Sequence, residues 1–277
     1  MVLIHIVVCI KQVPDTTQVR ISQEGTLIRE GIPSIVNPHD LHATEAAVSL
    51  KEAHGGQVTA VTMGPIGARE ALREVVALGA DDAVLISDRA YAGSDTLATS
   101  YILAAAIEQL GNTRPVDLVV CGKQSIDGDT AQVGPGLAQR LGLSQLTYVQ
   151  KVRQVDPERR TIVVERRLEK GVEVVEGRLP ALLTVEKSIN EVRYAPLPNV
   201  IRAAKYEPAL YNQETLGLDK NHVGLRGSPT QVRKIFAPPP AEGGEIIAGA
   251  ESSSGEAALA LVDTLAGLGA LDGGQGG

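Results

Sequence analysis

Tryptophan is absent from the 277 residues, phenylalanine occurs once and aromatic residues make up 3% of the chain. That removes the stacked-aromatic platform on which single-stranded nucleic acids are held. Cysteine is nearly as scarce. Cys9 and Cys121 stand far apart at the ends of two predicted strands, with no CxxC spacing, and read as reduced thiols rather than a disulfide framework or a metal site. There is no Lys/Arg-rich run, and a net charge of −7 with a pI near 5.3 leaves no basic face for a phosphate backbone, so nucleic acid is excluded as a partner. No apolar run approaches the roughly 18–20 residues of a membrane span. The start MVLIHIVVCIK reads as a strand and lacks the basic n-region and small-residue cleavage site of a secretory signal, so the expectation is a cytoplasmic protein without membrane insertion. A Walker Lys-Ser/Thr pair and a Ser/His/Asp or Cys/His constellation are also missing, which argues against ATP hydrolysis and nucleophilic catalysis.

Hydrophobic residues at 43% and charged residues at 21% are the balance of a folded globular chain, long enough for one large domain with an appendage or two modest domains. Four apolar, β-branched runs, LIHIVVCI, GQVTAVTM, DAVLIS and VDLVVCG, alternate with four stretches whose apolar residues recur at helical spacing: HDLHATEAAVSLKEAHG, IGAREALREVVALGA, DTLATSYILAAAIEQLG and AQVGPGLAQRLGL. Such alternation predicts an α/β fold, a parallel Rossmann-like sheet with helices on both faces. Gly55-Gly56, Gly79 and Gly111 are expected at helix C-caps and Asp95 at an N-cap. Beyond residue 145, LTYVQKVRQVD, TIVVERRLE and VEVVEGRLPALLTVE read as an antiparallel extension turning at PERR and at Lys170-Gly171. Glu165, Arg166, Arg167, Glu169 and Lys170 form a mixed-sign, solvated hairpin face. Residues 187–240 carry seven prolines and little periodicity, the mark of an arm that lies against another chain. A Gly/Ser break then leads to an apolar helix, EAALALVDTLAGLGAL, expected to pack on a partner or a second domain.

In open parallel sheets, ligands bind beyond the carboxyl ends of the strands, where loops and helix N-termini converge. The unusual loop sequences all fall there: CIKQVPD after the first strand, NPHD before the first helix, MGP after the second strand and CGKQSIDGDTAQVGP after the fourth. The last supplies Gly128 for close backbone approach, Thr130 as a hydroxyl donor and N–H groups at a helix start, which suit a phosphate or diphosphate. It matches neither GxGxxG nor GxxxxGK[ST], and a capped structural turn is the competing reading. Asp127 and Asp129 would repel a phosphate directly; they are expected to cap the helix, to recognise ribose hydroxyls or to orient the loop through Lys123. Asp95 and Asp117 read as capping or solvated carboxylates, and the two cysteines as small buried hydrophobes. His39 and His42, three residues apart on one helix, lack a third ligand and read as polar residues of a helix start, so no metal is predicted.

Taken in order, VCIKQVPDT, NPHD, VTMGP, GKQSIDGDTAQVGP and VERRLEKGVEVVEGRLPALLTVEKSINEVRYAPLPNVIRA resemble the β subunit of electron transfer flavoproteins. The resemblance implies a heterodimer with an FAD-holding α subunit. It implies an adenine-nucleotide-binding α/β domain over residues 1–186, a recognition loop and partner-embracing arm over 187–240, and a C-terminal helix with a flexible tail over 241–277. Carried over position by position, the nucleotide contacts fall on Cys9, on Asn37, Pro38, His39 and Asp40, on Met63 and Gly64, and on Gly122, Lys123, Gln124, Ser125, Ile126, Asp127, Gly128, Asp129, Thr130, Ala131, Gln132 and Val133. Arg193, Tyr194 and Leu197 fall in the loop that meets redox partners, where Leu197 is either the anchor or a purely structural residue.

Within that family, KQVPDT and DGDTAQVGP are similar to the bifurcating members and to the subunits associated with nitrogen fixation. Their β-subunit nucleotide is a second FAD that takes a hydride from NADH, whereas simple electron carriers keep a structural AMP and tend to be bulkier at the positions of Gly128, Thr130 and Ala131. The resemblance therefore implies FAD with NADH as electron donor, AMP being the alternative. It implies an acyl-CoA dehydrogenase or quinone-reductase-type partner and a low-potential acceptor such as ferredoxin or flavodoxin. A stand-alone stress-type adenine-nucleotide-binding module is the reading from another class. Flavin chemistry needs no protein nucleophile, so no catalytic residue is predicted.

Overall fold

Every residue of Ile4–Cys9 is buried, the pattern of a strand covered on both faces, and this strand, β1, lies inside a nine-stranded sheet. The structure is a computed structural model that describes residues 3–15, 20–21, 27–28, 33–230 and 253–271. The chain divides into two units, Met1–Ile235 and Phe236–Gly277.

In the first unit, β1 is followed by two small antiparallel pairs, β2 (Gln12–Pro14) with β5 (Ser34–Val36) and β3 (Arg20–Ile21) with β4 (Leu27–Ile28). Then come α1 (Pro38–His54), β6 (Gly56–Met63), α2 (Arg69–Leu78), β7 (Asp82–Ile86), α3 (Thr96–Thr113), β8 (Leu118–Gly122) and α4 (Val133–Leu141). The remainder is β9 (Ser144–Asp156), β10 (Thr161–Leu168), β11 (Gly171–Arg178), β12 (Ala181–Val185), α5 (Leu197–Ala204), β13 (Ala209–Tyr211) and α6 (Gln213–Leu216). The sheet order is β11-β10-β9-β12-β8-β1-β6-β7-β13, parallel from β9 through β13 and antiparallel at the two outer pairs. From β1 the chain steps outward through β6 and β7, then crosses to the other flank of β1 with β8. The order reverses between β1 and β8, and that reversal is where an open sheet leaves a crevice.

Alternating residues of the central strands supply two cores, as the two-residue period of a strand demands. Ile4, Ile6 and Val8 pack with Ala43 and Ala47 of α1 and Leu72 and Val75 of α2. Val7 and Cys9 pack on the opposite face with Ile102 and Ile107 of α3 and Leu137 of α4. Asp95 caps α3 as expected, its carboxylate accepting from the N–H groups of Leu97 and Ala98, and Gly55 and Gly79 follow α1 and α2.

Three expectations are corrected. Gly111 is not a C-cap: α3 continues to Thr113, and the Arg114 N–H bonds the Leu110 carbonyl. A glycine in a last turn with no neighbour within 4 Å of its Cβ direction does not stop a helix. The antiparallel extension is also shorter than its sequence suggests. Pro180 separates β11 from β12, and ALLTV re-enters the sheet as a parallel strand between β8 and β9 with all five residues buried. Finally, the described part of the proline-rich stretch, residues 187–230, packs on its own chain, since α5 lies on α2 and β13 extends the sheet beside β7.

The second unit contains α7 (Ser254–Gly267), which opens with a capping box between Ser253 and Glu256 and exposes Leu259, Leu261 and Val262. No helix among the described residues is long and apolar enough to cross a membrane.

Candidate functional site

The crevice between β1 and β8 is lined by the first turn of α1 and by the loop from β8 to α4. Pro38 opens α1, where its missing N–H is no loss. One turn in, the buried Asp40 carboxylate accepts the Lys11 N–H at 2.8 Å and the Gly122 N–H at 3.1 Å, joining the chain as it leaves β1 to the chain as it leaves β8. Burial pushes the Asp40 pKa up to about 7, against the hydrogen bonds from Asn37, Lys11 and Gly122 that favour the charged form. Gly122 is the point of closest approach. A Cβ there would lie 2.7 Å from His39 Cβ and would collide with the Asp40 carboxylate.

Asn37 precedes α1 without capping it. Its Nδ2 donates to the Gln124 carbonyl at 2.9 Å and its Oδ1 accepts the Ile126 N–H at 3.2 Å, which fixes the start of the loop. Asp127 pairs with Lys11 at 2.7 Å. Burial works to raise the Asp127 pKa, but the Lys11 and Ser125 hydrogen bonds outweigh it and hold the carboxyl below its usual range. The Asp129 N–H donates to the Ser125 carbonyl at 2.9 Å and its side chain accepts from Gln124. Asp129 and Ala131 both take φ of 55°, a left-handed backbone that non-glycine residues rarely adopt. Gln132 does not cap α4; its Oε1 accepts from the Thr96 hydroxyl at 2.8 Å. The Val133 and Gly134 N–H groups at the start of α4 are thus left uncapped at the positive end of the helix dipole, while Pro135 at the third position has no N–H to offer.

Two further observations fit a phosphate-bearing nucleotide. His39 is buried with Nδ1 lacking a hydrogen-bond partner, and burial, then the charge of Lys187, lowers its pKa so that the ring is neutral near pH 7. A Cβ on Gly128 would meet only the Ser125 hydroxyl, at an ordinary 3.4 Å, so packing within the chain does not require glycine there.

The expected roles of the aspartates need correction. Neither caps α4, and the loop is oriented through Lys11 rather than Lys123. Lys123 emerges on the β12 flank, its N–H bonded to the Val185 carbonyl and its Nζ paired with Glu186 at 3.2 Å and lying over the Tyr148 ring. Cys9 and Cys121 face each other in register on β1 and β8, both buried; the Cys9 thiol and then burial push the Cys121 pKa up, so it is an inert thiol. Met63 ends β6 on the far side of β1 and Gly64 follows it, with the Gly64 N–H bonded to the Ile86 carbonyl. His42 does not turn to His39 but bonds Asn190 Oδ1 at 2.9 Å. The concavities beside His54 and Asp156 and beside Ile107 and Leu143 lie away from this crevice. Lys11 lies outside the residues expected to form the site, although its place in CIKQVPD, beside an aspartate-rich loop, was a usable signal.

Arg193 is engaged within the chain. Its guanidinium donates to Glu45 at 2.8 and 2.9 Å and to Glu52 at 2.6 and 2.9 Å, and its backbone N–H reaches Glu45 at 3.2 Å. Burial works to raise the Glu45 pKa, but Arg193 and Ser49 outweigh it; the Arg193 hydrogen bonds also lower that of Glu52, so both are carboxylates. Tyr194 and Leu197 stand in solvent, 97% and 71% exposed.

A profile of the family described as Electron transfer flavoprotein domain matches residues 24–210. Similar proteins include Protein FixA of Azotobacter vinelandii, 50% identical over 266 residues that cover 94% of this chain and 95% of that one. Electron transfer flavoprotein subunit beta of Clostridium acetobutylicum is 48% identical over 244 residues, 88% of this chain and 92% of that one. The Caffeyl-CoA reductase-Etf complex subunit CarD of Acetobacterium woodii is 47% identical over 263 residues, 94% and 97% of the two chains.

Proposed function

This chain belongs to the electron transfer flavoprotein family as a β-type subunit of the group that includes FixA, and from that premise we propose that the β1/β8 crevice holds FAD, reduced by NADH, in a heterodimer with an α subunit. Electron transfer is the function of the subunit. The observation that carries the choice of FAD is Gly128, small where the chain's own packing would accept a side chain, in a loop that continues with Thr130 and Ala131. Room is kept there for more than a monophosphate.

In this reading the uncapped start of α4 and the left-handed backbone at Asp129 and Ala131 hold the phosphates. Lys11 neutralises Asp127 so that the loop does not repel them. His39 Nδ1 and the Thr130 hydroxyl are free to bond the nucleotide. A bound flavin supplies hydride acceptance and single-electron delivery, which the chain serves by positioning and electrostatics alone. Residues 1–186 are then the nucleotide-binding domain, 187–240 the recognition loop and arm, and 241–277 a terminal helix and tail. Tyr194 and Leu197 face an acyl-CoA dehydrogenase or quinone-reductase-type partner, and ferredoxin or flavodoxin is the low-potential acceptor. The name of the Acetobacterium relative, a subunit of a reductase-Etf complex, supports assembly of this kind.

The test is a nucleotide census. The chain is co-purified with its α subunit, the complex is denatured and the released nucleotides are quantified. Two FAD per heterodimer supports the proposal, and NADH should then bleach the flavin. One FAD and one AMP overturns it in favour of a simple carrier, and a nucleotide-binding homodimer without flavin would make the chain a stress-type module.

A further inference from the structure

Residues 190–196 have no helix or strand to brace them, yet they lead into an eight-residue helix, α5, whose apolar Leu197, Val200 and Ile201 are exposed and whose one buried residue is Ala203. A helix so short, with its apolar side in water, does not hold itself. Side chains hold it at three places. Asn190 exchanges two hydrogen bonds with His42, at 2.9 and 3.0 Å. Arg193 forks onto Glu45 and Glu52. Arg202 donates to the carbonyls of Val76 and Ala80 at the end of α2, at 3.1 and 2.9 Å. Two of these ties end on α1, the helix that follows Asn37 and whose first turn carries His39 and Asp40.

Building on the reading of Tyr194 and Leu197 as the partner-facing surface, we infer that Arg193 is a positioning residue that clamps this segment to α1 through Glu45 and Glu52 and so presents the apolar surface already ordered for its partner. The Arg193 side chain directs its hydrogen bonds to two carboxylates of its own chain, so its role in this inference is to order the segment rather than to bond a redox partner. Only a planar fork can serve both at once, so lysine is a partial substitute. Glu45, 8% exposed at its side chain, would lose its counter-ion without Arg193, so the clamp is tight at its inner end and adjustable at the exposed Glu52. A preordered surface lowers the ordering cost of association and leaves the chemical step alone.

The experiment uses the intact heterodimer with a purified acyl-CoA dehydrogenase as the probe. Arg193→Gln should raise KM for the dehydrogenase about tenfold with kcat little changed, leave the nucleotide content as it was, and speed hydrogen exchange over residues 190–204. Arg193→Lys should recover part of the KM. Leu197→Ala should also raise KM, and the double variant should be no worse than the poorer single one, because Arg193 acts through the surface that Leu197 belongs to. If Arg193→Gln folds poorly, Glu52→Gln, at the exposed end, should show a smaller rise in KM and the same exchange signature. An unchanged KM in Arg193→Gln or Glu52→Gln while Leu197→Ala is impaired, or fully additive effects in the double variant, overturns the clamp and leaves the partner-facing reading standing. An unchanged KM in Leu197→Ala overturns the partner-facing reading itself, and the clamp as a recognition device with it.

Discussion

Asn37 stands where a helix cap is expected, but its side chain bonds Gln124, 87 positions along the chain, rather than the helix it precedes. That choice leaves the α1 start uncapped and makes the loop after β8 depend on a residue that sits just before α1. Two parts of the crevice distant in sequence are thus tied together.

Replacing Asn37 with alanine leaves the Gln124 carbonyl and the Ile126 N–H without their partner. The cost of about 1–3 kcal/mol for such groups falls on the loop, so nucleotide affinity should drop about tenfold or more. Titration of the nucleotide-stripped heterodimer with FAD reads this directly, and an unaltered Kd would remove Asn37 from the site.

Gly128 and Gly122 should respond in opposite ways. Gly128→Leu meets no obstacle within the chain at its Cβ, so the thermal midpoint of the nucleotide-free protein should stay within a degree or two while the β-subunit nucleotide is lost and the α-subunit FAD remains. Gly122→Ala drives a methyl into Asp40 and His39 and should cost about 1–3 kcal/mol of stability. Retention of nucleotide by Gly128→Leu would show that the phosphates lie elsewhere.

Lys11 and Asp127 are both partly exposed, and such a pair contributes at most about 1 kcal/mol to stability. Lys11→Met should therefore melt like the parent, yet bind FAD several-fold more weakly, because Asp127 is left unneutralised beside the phosphates. The double variant Lys11→Met, Asp127→Asn should recover most of the loss. Equal affinities in all three proteins would contradict the neutralising role.

Asp40 sets a pH dependence. Its folded pKa, near 7, lies above the ordinary carboxylate value, so the folded state holds a proton that the unfolded chain has released. Stability of the nucleotide-free protein accordingly falls as pH rises from the carboxylate range to about 7, and is level above it. A bound phosphate further disfavours the charged form, so FAD affinity should weaken several-fold between pH 6.5 and 8. His39 contributes below that window, since its pKa is lowered from 6.5. Asp40→Asn should flatten the affinity profile across the same window, and a profile as steep as the parent's would assign the proton elsewhere.

Much of this was legible in the chain. The β-branched runs of β1, β6, β7 and β8 and the helical spacing of α1, α2 and α3 announce a parallel sheet, because a strand buried on both faces can afford no polar alternation. The loops at the strand ends stand out by their glycines and acids. What misled was local. Pro180 lies within one apolar stretch but divides an antiparallel edge from a central strand, and nothing in VEGRLPALLTVE says on which side of β8 the chain will re-enter.

Fold class, family and crevice-forming segments are readable from the chain alone, since hydrophobic period and turn residues act over a few positions. Pairing partners emerge only in the folded molecule. Lys11 rather than Lys123 meets Asp127, Asn37 reaches Gln124, and Arg193 turns inward to Glu45 and Glu52. Each of these joins residues 87 to 148 positions apart. Their meeting depends on sheet order and on how closely α1 approaches β8 at Gly122, properties of the assembled layers and of no single segment.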